Sequence, residues 1–383
     1  MRKVLIIMAT LFALLSFNSS KSVFAEQDIL IDGCKSAYLI DFDSGTTLYS
    51  LNEEKRVPIA SVCKVMTLLV CFDAIENGDV SLDQTVVVSK NAAGMGGSQI
   101  FLQENNEYAV SQLIKSIIVC SANDSCVAMA ETICGSEELF VAKMNEKAKN
   151  LGCENTKFSN CTGLPKPNQY SCAKDVAIMF SNLVRHKEYF NYSKIWLENF
   201  VHPDNRLTCM TNTNKLLRKY NTCDGGKTGF TNEAGFCLAA TALKNNMRVV
   251  SVILGADSSD LRFDNTIKLF NFAFANYKNM IVMDEDVNFS DKIEVYGGAK
   301  EFLTIKPVKS VYVLNKSGEN CDVSKVVNVN NAIAPIKQNQ VVGSVDVYKN
   351  GVLYTTIDVV ASEDVNRASY VDNVNKIAER WAL

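Results

Sequence analysis

Histidine is scarce in this chain, and its scarcity limits the chemistry that the chain can perform. The 383 residues include two histidines, His186 and His202, and both lie in polar stretches. A zinc peptidase usually needs at least two histidines and a carboxylate in a recognisable arrangement. The sequence therefore indicates no metal site and no other cofactor, and it disfavours hydrolysis that depends on histidine.

An excess of positive charge is also missing. The formal net charge is −3 at pH 7, with 21% charged and 47% hydrophobic residues. These values are ordinary for a globular protein and give no support for a nucleic-acid partner. At this length the chain can bury a sizeable core and form one to three domains.

The first 25 residues have the pattern of a secretory signal peptide. Arg2 and Lys3 precede an apolar run over 4–17, which is too short to span a bilayer comfortably. Val23-Phe24-Ala25 places small residues at the −3 and −1 positions of a cleavage site. The pattern predicts export with cleavage after Ala25, and an uncleaved membrane anchor is the alternative.

The thirteen cysteines contain no C-x-x-C pair, so a zinc or thioredoxin-like motif has no support. Their number is odd, and Cys71, Cys120 and Cys237 lie in apolar runs. Because a free cysteine packs as a small hydrophobic residue, the pattern favours reduced core thiols over a disulfide framework. One or two disulfides stay open.

The apolar pattern predicts an α+β fold, an antiparallel sheet flanked by helices. Strands come first, helices fill the middle, and strands and a helix return after Gly225-Gly226. This order favours a sheet in which the two ends of the domain meet. The predicted segments are strands 36–42 and 46–49, helical stretches 61–75, 110–133, 140–151 and 174–184, strands 227–230, 235–243 and 248–254, and helix 264–277.

The composition changes near residue 284. Residues 284–291 are acidic and polar, like a linker, and short alternating segments with turns at Gly297-Gly298 and Asn350-Gly351 follow. They predict a small C-terminal all-β domain. The tail has an apolar helical face that could lie on a membrane, dock on the protein or fray. The predicted division is a signal peptide at 1–25, a catalytic domain at 26–283, a β-rich domain at 284–362 and an amphipathic tail at 363–383.

A serine and a lysine three residues apart form the first of three motifs. In Ser61-Val62-Cys63-Lys64 the two side chains can share one helix face, and Pro58 suits the helix start. A lysine held neutral could take the hydroxyl proton and leave an alkoxide nucleophile. Because an ordinary lysine pKa is about 10.4, burial and a second cation such as Lys227 would have to lower it. Alone, the pattern also fits a capping serine and a surface lysine.

Two further motifs follow at separations of 60 and 106 residues. Ser121-Ala122-Asn123 offers a hydroxyl that can relay a proton and an amide that can hold a peptide bond. In Lys227-Thr228-Gly229, a basic residue and a hydroxyl can bind a terminal carboxylate, and glycine lets a substrate backbone approach an edge strand. Alone, the first would be a helix cap and the second a turn. Together, in this order, the three motifs favour one catalytic site.

This order of motifs is the signature of penicillin-binding proteins and serine β-lactamases. The chain resembles in particular the low-molecular-mass penicillin-binding proteins of the D-alanyl-D-alanine carboxypeptidase type, the peptidase S11 family. The resemblance implies a β-lactamase/transpeptidase-like fold with the C-terminal β-domain of the family. Over about residues 30–362, further segments carry it: 58–61, 98–102, 144–148, 162–165 with Tyr170-Ser171, 224–231 and 335–343.

The resemblance implies the catalytic groups. Ser61 would be the acylated nucleophile and Lys64 its base, while Ser121 would relay a proton to the departing D-alanine. The backbone N–H groups of Ser61 and Phe230 would form the oxyanion hole. The implied partners are peptidoglycan stem peptides that end in D-Ala-D-Ala, with β-lactam antibiotics as covalent inhibitors.

The resemblance also implies the substrate-binding groups. Asn123 would hold the substrate amide, and Lys227 and Thr228, next to Gly229, would address the terminal carboxylate. Arg262 matches a family arginine near the carboxylate site, although a surface arginine is the alternative. The chain departs from residues that are common in the family at four positions: Cys63 for threonine, Ala122 for glycine, Thr213 for arginine and Phe230 for histidine.

Different functions share the same motifs and stay open. A serine β-lactamase of class A would carry a deacylating glutamate in an E-x-x-L-N context, which is absent here, and would need no second β-domain. A transpeptidase or endopeptidase on the same scaffold is also consistent with the motifs, as is a catalytically silent cell-wall binding protein. The prediction is an exported serine-type D-Ala-D-Ala carboxypeptidase that acts in the cell envelope through an acyl-enzyme.

Overall fold

Helices separate two groups of strands in the first 276 residues. The structure is a computed structural model that describes residues 31–289, 293–329 and 332–381. The predicted signal peptide lies outside these residues. In chain order the elements are β1 (Ser36–Asp41), β2 (Thr47–Leu51), α1 (Lys64–Glu76), β3 (Thr85–Val87), α2 (Lys90–Ala93), β4 (Glu107–Ala109), α3 (Val110–Cys120), α4 (Asn123–Cys134), α5 (Glu137–Asn150), α6 (Ala173–Leu183), α7 (Tyr189–Ser193), β5 (Leu197–Val201), β6 (Leu207–Thr211), α8 (Leu216–Lys219), β7 (Cys223–Thr231), β8 (Gly235–Lys244), β9 (Met247–Ala256) and α9 (Ser259–Asn276).

Strands dominate the remainder of the chain. Their bounds are β10 (Tyr277–Met283), β11 (Ile293–Tyr296), β12 (Phe302–Leu303), β13 (Ile305–Pro307), β14 (Val311–Lys316), β15 (Val323–Val329), β16 (Ala332–Ile333), β17 (Val341–Lys349) and β18 (Val352–Ala361), followed by helix α10 (Tyr370–Trp381).

A five-stranded antiparallel sheet carries the first domain, in the order β2-β1-β9-β8-β7. β1 pairs with β9, with Ser36 opposite Leu254. This pairing confirms the prediction that the two ends of the domain meet in one sheet. β7 is an edge strand, so the Lys227-Thr228-Gly229 segment has one side that pairs with β8 and one side that faces away from the sheet.

Helix α1 forms the centre of the helical layer. Almost all of its side chains from Lys64 to Ala74 are buried, and it packs against α3, α4, α5 and α6. A helix that is apolar all round must be surrounded on every side. Lys64 is the charged residue buried in this helix, and its burial is the first structural indication of a specialised role.

Two predicted helices differ from the structure. Stretch 61–75 begins with a 3-10 turn over Ala60–Cys63, and the α-helix starts at Lys64. Stretch 110–133 is two helices, because Ser121 adopts a left-handed conformation with φ of +66° and ends α3. The apolar spacing continues across this break, so periodicity alone gives no sign of it.

The C-terminal strands form a domain with its own apolar cluster. Its largest sheet has the order β13-β18-β17-β15, and the β17–β18 hairpin closes at Asn350-Gly351. Both turn residues have positive φ, +50° and +77°, which is the conformation that an Asn-Gly hairpin turn requires. The all-β character is confirmed, while the domain boundaries 26–283 and 284–362 stay a prediction.

Candidate active site

Ser61 and Lys64 lie within hydrogen-bond distance where the 3-10 turn meets α1. Lys64 Nζ is 3.1 Å from Ser61 Oγ, and the lysine side chain is 0% exposed. Ala60, directly before the serine, has φ of +48° although it is not glycine. Strained backbone of this kind persists only where the surroundings fix it, and it is common at functional sites. The predicted serine–lysine pair is therefore formed.

A backbone carbonyl orients the lysine. Lys64 Nζ donates to the Thr162 carbonyl oxygen at 2.5 Å. The amide of Asn160 shapes this loop, since its Oδ1 accepts from the N–H groups of Thr162 and Gly163 at 3.2 and 2.7 Å. A neutral amine has two N–H donors and one lone pair, so a fixed acceptor on one side leaves the lone pair free to face Ser61 Oγ.

Gly163 lets this loop reach the nucleophile. Its φ is +82°, and a Cβ at this position would lie 2.1 Å from the Ala60 carbonyl oxygen and 2.9 Å from Ser61 N. Only glycine permits both the conformation and the approach. The loop and the 3-10 turn therefore determine each other's positions.

A second hydroxyl–lysine pair faces the first. Lys227 Nζ donates to Ser121 Oγ at 2.9 Å and to the Thr228 carbonyl oxygen at 3.0 Å, and its side chain is 1% exposed. The left-handed conformation of Ser121 places its side chain at the junction of α3 and α4. The structure thus joins the second and third motifs through one hydrogen bond.

Burial and the nearby charge of Lys64 hold the pKa of Lys227 well below the ordinary lysine value. Between the folded-state pKa and the ordinary value near 10.4, the unfolded chain binds more protons than the folded one. The stability that this group contributes therefore rises with pH in that window and is lost as pH falls. The amine whose pKa is depressed is therefore the one that contacts Ser121 Oγ.

Asn123 is fixed through two of its polar groups and leaves a third one free. Its N–H donates to the Ser98 carbonyl oxygen and its Nδ2 to the Gly96 carbonyl oxygen, both at 2.7 Å. Its Oδ1 is buried and has no hydrogen-bond partner among the described residues. A buried acceptor without a donor is costly, so a substrate N–H would be stabilising here.

The edge strand β7 packs closely on the nucleophile. A Cβ on Gly229 would lie 2.7 Å from the Ile59 carbonyl oxygen and 3.0 Å from Ser61 N. Thr228 is buried, whereas Phe230 is half-exposed and stacks on Phe236 at 4.3 Å between ring centroids. The glycine is required by the close approach, as the motif predicts.

Arg262 is buried behind this strand, so the alternative of a surface arginine is wrong. Its Nη1 donates to the carbonyl oxygens of Gly229 and Cys237 at 3.1 and 3.3 Å. Its Nε has no partner among the described residues. The guanidinium therefore braces β7 and β8 and retains one donor for another acceptor.

Cys63 occupies the family's usual threonine position as a hydrogen-bond donor. Its Sγ donates to the Asn160 carbonyl oxygen at 3.4 Å. Burial raises the pKa of its thiol to about 12, so the thiol stays protonated. All thirteen cysteines fall within the described residues, and none of them forms a disulfide there.

The side chains of both histidines contact other side chains of the fold. His202 Nδ1 lies 3.0 Å from Tyr108 OH and its Nε2 lies 2.9 Å from Thr208 Oγ1. His186 lies beside the carboxylates of Asp73 and Glu76. In the described part of the chain, no group of three or more histidine, cysteine or acidic side chains could hold a metal ion.

The predicted residues come together at one site, and three further residues join them to which the sequence analysis assigned no role. Thr162 contributes a backbone carbonyl, which no residue type marks. Asn160 supports that carbonyl, and Asp124 anchors the loop beside Asn123. The signal for Asp124 was available, since it is an acidic residue between two apolar runs, 117–120 and 126–130.

Comparison with known proteins identifies the family of the chain. The family model described as D-alanyl-D-alanine carboxypeptidase, peptidase S11, matches residues 23–258, and the model of the C-terminal domain of penicillin-binding protein 5 matches residues 276–367. The chain is 36% identical over 378 residues to the D-alanyl-D-alanine carboxypeptidase DacF of Bacillus subtilis, covering 97% of both chains. It is 32% identical to DacC of Escherichia coli over 358 residues, covering 88% of this chain and 85% of that protein.

Solved structures show the same fold. Penicillin-binding protein 5 of Haemophilus influenzae superposes with a TM-score of 0.67 at 29% identity, covering 88% of this chain and 98% of that one. Penicillin-binding protein 3 of Streptococcus pneumoniae gives a TM-score of 0.70 at 25% identity, covering 87% and 99%. The predicted fold class and resemblance are confirmed. The chain therefore belongs to the peptidase S11 family of D-alanyl-D-alanine carboxypeptidases.

Proposed function

We propose that the chain is a serine-type D-Ala-D-Ala carboxypeptidase that removes the terminal D-alanine from peptidoglycan pentapeptide stems. The observation that carries this proposal is the contact between Ser61 Oγ and Nζ of the fully buried Lys64, itself held by the Thr162 carbonyl. A nucleophile, a base and a group that orients the base are the parts that acyl transfer needs.

Acylation begins with proton transfer from the Ser61 hydroxyl to the Lys64 amine. Oγ attacks the carbonyl carbon of the penultimate D-alanine, and the N–H groups of Ser61 and Phe230 stabilise the oxyanion. The C–N bond then breaks. Ser121, which bonds to Lys227, passes its hydroxyl proton to the departing amine nitrogen, and the proton that Lys64 took from Ser61 replaces it. D-Alanine leaves, an ester remains on Ser61, and Lys64 can again act as a base.

Water completes the cycle. It attacks the ester carbonyl while Lys64 takes one of its protons, and the C–O bond to Ser61 breaks as the hydroxyl is restored. In this proposal Lys227, Thr228 and Arg262 receive the terminal carboxylate, and Asn123 receives an amide of the stem. Two observations support these roles. Lys227 and Thr228 both lie on strand β7, and Arg262 Nε and Asn123 Oδ1 have no hydrogen-bond partner among the described residues.

The full-length match favours hydrolysis of D-Ala-D-Ala over related reactions. The relative that covers 97% of the chain is named a carboxypeptidase. The D-alanyl-D-alanine endopeptidase of Escherichia coli, 30% identical, covers 61% of this chain, and the Streptomyces K15 DD-transpeptidase structure, with a TM-score of 0.59 at 26% identity, covers 63%. These two matches leave more than a third of the chain uncovered, whereas the carboxypeptidase match covers almost all of it and so includes the β-domain.

The test combines two measurements on the mature protein. We expect mass spectrometry after incubation with benzylpenicillin to show one lasting adduct that maps to Ser61, and a D-Ala-D-Ala pentapeptide to lose D-alanine. Rapid drug hydrolysis without an adduct would instead favour a β-lactamase. D-Alanine release that depends on an added amine acceptor would favour a transpeptidase, and neither reaction would favour a silent wall-binding protein.

We further propose that the protein is exported and that α10 lies on a membrane surface. Among the described residues, no helix is long and apolar enough to cross a bilayer. Lys376 Nζ donates to the Gly298 carbonyl oxygen at 2.6 Å, which attaches the helix to the β-domain. The opposite apolar side chains are exposed, up to 87% at Trp381: Tyr370, Val371, Val374, Ile377 and Trp381.

Vesicle sedimentation tests the tail. We expect the mature chain to bind phosphatidylglycerol vesicles and the Val374→Ser/Ile377→Ser variant to bind about tenfold or more weakly, because two apolar side chains no longer enter the bilayer. Asn375→Ser on the same helix is the matched control and should bind as the wild type does. Equal binding by all three proteins would show that the helix does not contact lipid.

A further inference from the structure

The residue after Asn123 is Asp124, a buried carboxylate. Asp124 is 0% exposed, and no lysine, arginine or histidine of the described residues forms an ion pair with it. Its oxygens instead accept from backbone N–H groups, those of Ile100 at 3.1 and 3.3 Å, Leu102 at 3.0 Å and Ser125 at 2.9 Å. Burial of a charge is costly, so this arrangement needs a reason.

Helix capping explains only part of it. Asp124 lies in the first turn of α4, where a negative charge is favourable. The hydrogen bond from Ser125 N to its Oδ1 lies in this first turn and serves the capping of α4. The bonds to Ile100 and Leu102 reach more than twenty positions back along the chain and anchor a different segment, residues 96–102, which we call the overlying loop.

The overlying loop holds Asn123. Its Gly96 carbonyl accepts from Asn123 Nδ2, and its Ser98 carbonyl accepts from Asn123 N. A Cβ on Gly97 would lie 2.8 Å from Asn123 Nδ2 and 3.5 Å from a methyl carbon of Leu164, so the loop passes closely over the amide. The rotation of the Asn123 amide, and thus the direction of its free Oδ1, depends on where this loop lies.

The anchored end of the loop is strained. Phe101, between the two residues that donate to Asp124, has φ of +63° although it is 54% exposed. An aromatic residue rarely adopts this conformation, and little burial compensates for it here. The bonds on either side fix it, together with Arg206 Nη2, which donates to the Phe101 carbonyl oxygen at 2.7 Å.

We propose that Asp124 is a positioning residue for substrate recognition, which fixes the overlying loop so that the Asn123 amide is set to receive the substrate amide. The inference rests on the proposed function, in which Asn123 makes that contact. It implies a selective defect: loss of Asp124 weakens recognition of ligands that carry the amide and spares those that lack it.

Two β-lactams separate the possibilities. Benzylpenicillin carries an acylamido side chain, and penicillanic acid has the same bicycle and carboxylate with hydrogen in its place. Second-order acylation constants are measured for both by competition with a fluorescent penicillin. We expect Asp124→Asn to slow acylation by benzylpenicillin by about 10- to 100-fold and acylation by penicillanic acid by less than about threefold.

Three further variants complete the experiment. Asn123→Ala reports the amide contact itself. Asp175→Asn is the matched control, because Asp175 is also buried in the first turn of a helix and accepts from the N–H of Asn155 and the hydroxyl of Thr156, neither of which belongs to the overlying loop. Phe101→Gly in the Asp124→Asn background relieves the strain at φ of +63° and should restore part of the selectivity, which keeps the test informative if Asp124→Asn is unstable.

The outcomes are distinct. Selective defects in Asn123→Ala and Asp124→Asn, with an unchanged ratio in Asp175→Asn, would support the proposal. A selective Asn123→Ala with a uniform or absent defect in Asp124→Asn would overturn it and leave the proposed function intact. A uniform defect in Asn123→Ala would remove the amide contact from the proposed function, and the role of Asp124 would fall with it.

Discussion

The Ser61→Ala protein should form no covalent penicillin adduct and should release D-alanine at least about 10⁴-fold more slowly than the wild type. The substitution removes the one oxygen that Lys64 Nζ contacts at 3.1 Å, so no acyl-enzyme can form. The missing hydroxyl leaves the 3-10 turn and its backbone contacts in place, and the fold should survive. Intact-protein mass spectrometry and a D-alanine assay give the two readouts.

The control for this variant is another serine of the same site region. Ser159 Oγ donates to the Pro167 carbonyl oxygen on the exposed side of the Thr162 loop. Ser159→Ala should label and turn over within about threefold of wild type, since surface substitutions cost little. A full-mass adduct on Ser61→Ala would contradict the mechanism, because it would require a different nucleophile.

Local patterns predicted the parts of this site, and long-range contacts assembled them. The edge strand around Lys227 was predicted only in part: the prediction covers 227–230, whereas β7 runs over Cys223–Thr231, so Gly225-Gly226 lie inside the strand and not before it. The junction at Ser121 was not predicted, because the apolar spacing of α3 and α4 runs on through it. Its left-handed conformation is stabilised by tertiary contacts, among them the bond from Lys227 Nζ.

Backbone groups are the part that sequence patterns miss. The Thr162 carbonyl that receives Lys64 is available on any residue, and its direction is set by Asn160 Oδ1 and by the approach that Gly163 permits. Arg262 shows a related limit. Its position near the carboxylate site came from resemblance, but its burial against the Gly229 carbonyl follows from α9 packing on β8 and β9.

Lys64 should act as a base and not only as a charge, and two substitutions separate these roles. Lys64→Ala should lower acylation by benzylpenicillin by about 10²- to 10⁴-fold, the usual contribution of a positioned base. Added methylamine should restore part of the rate, because the side chain is wholly buried and its removal leaves space beside Ser61. The restored rate should rise with pH as the fraction of free amine rises.

Lys64→Arg supplies a positive charge but cannot accept a proton, because a guanidinium stays protonated at these pH values. It should therefore be as slow as Lys64→Ala and should not respond to methylamine, because the larger side chain fills the space. The wild type is the control and should show no stimulation by the amine. If Lys64→Arg retained a tenth or more of the wild-type rate, Lys64 would be acting through its charge. The proton would then have to pass to the Ser121–Lys227 pair, where burial already depresses the pKa of the amine.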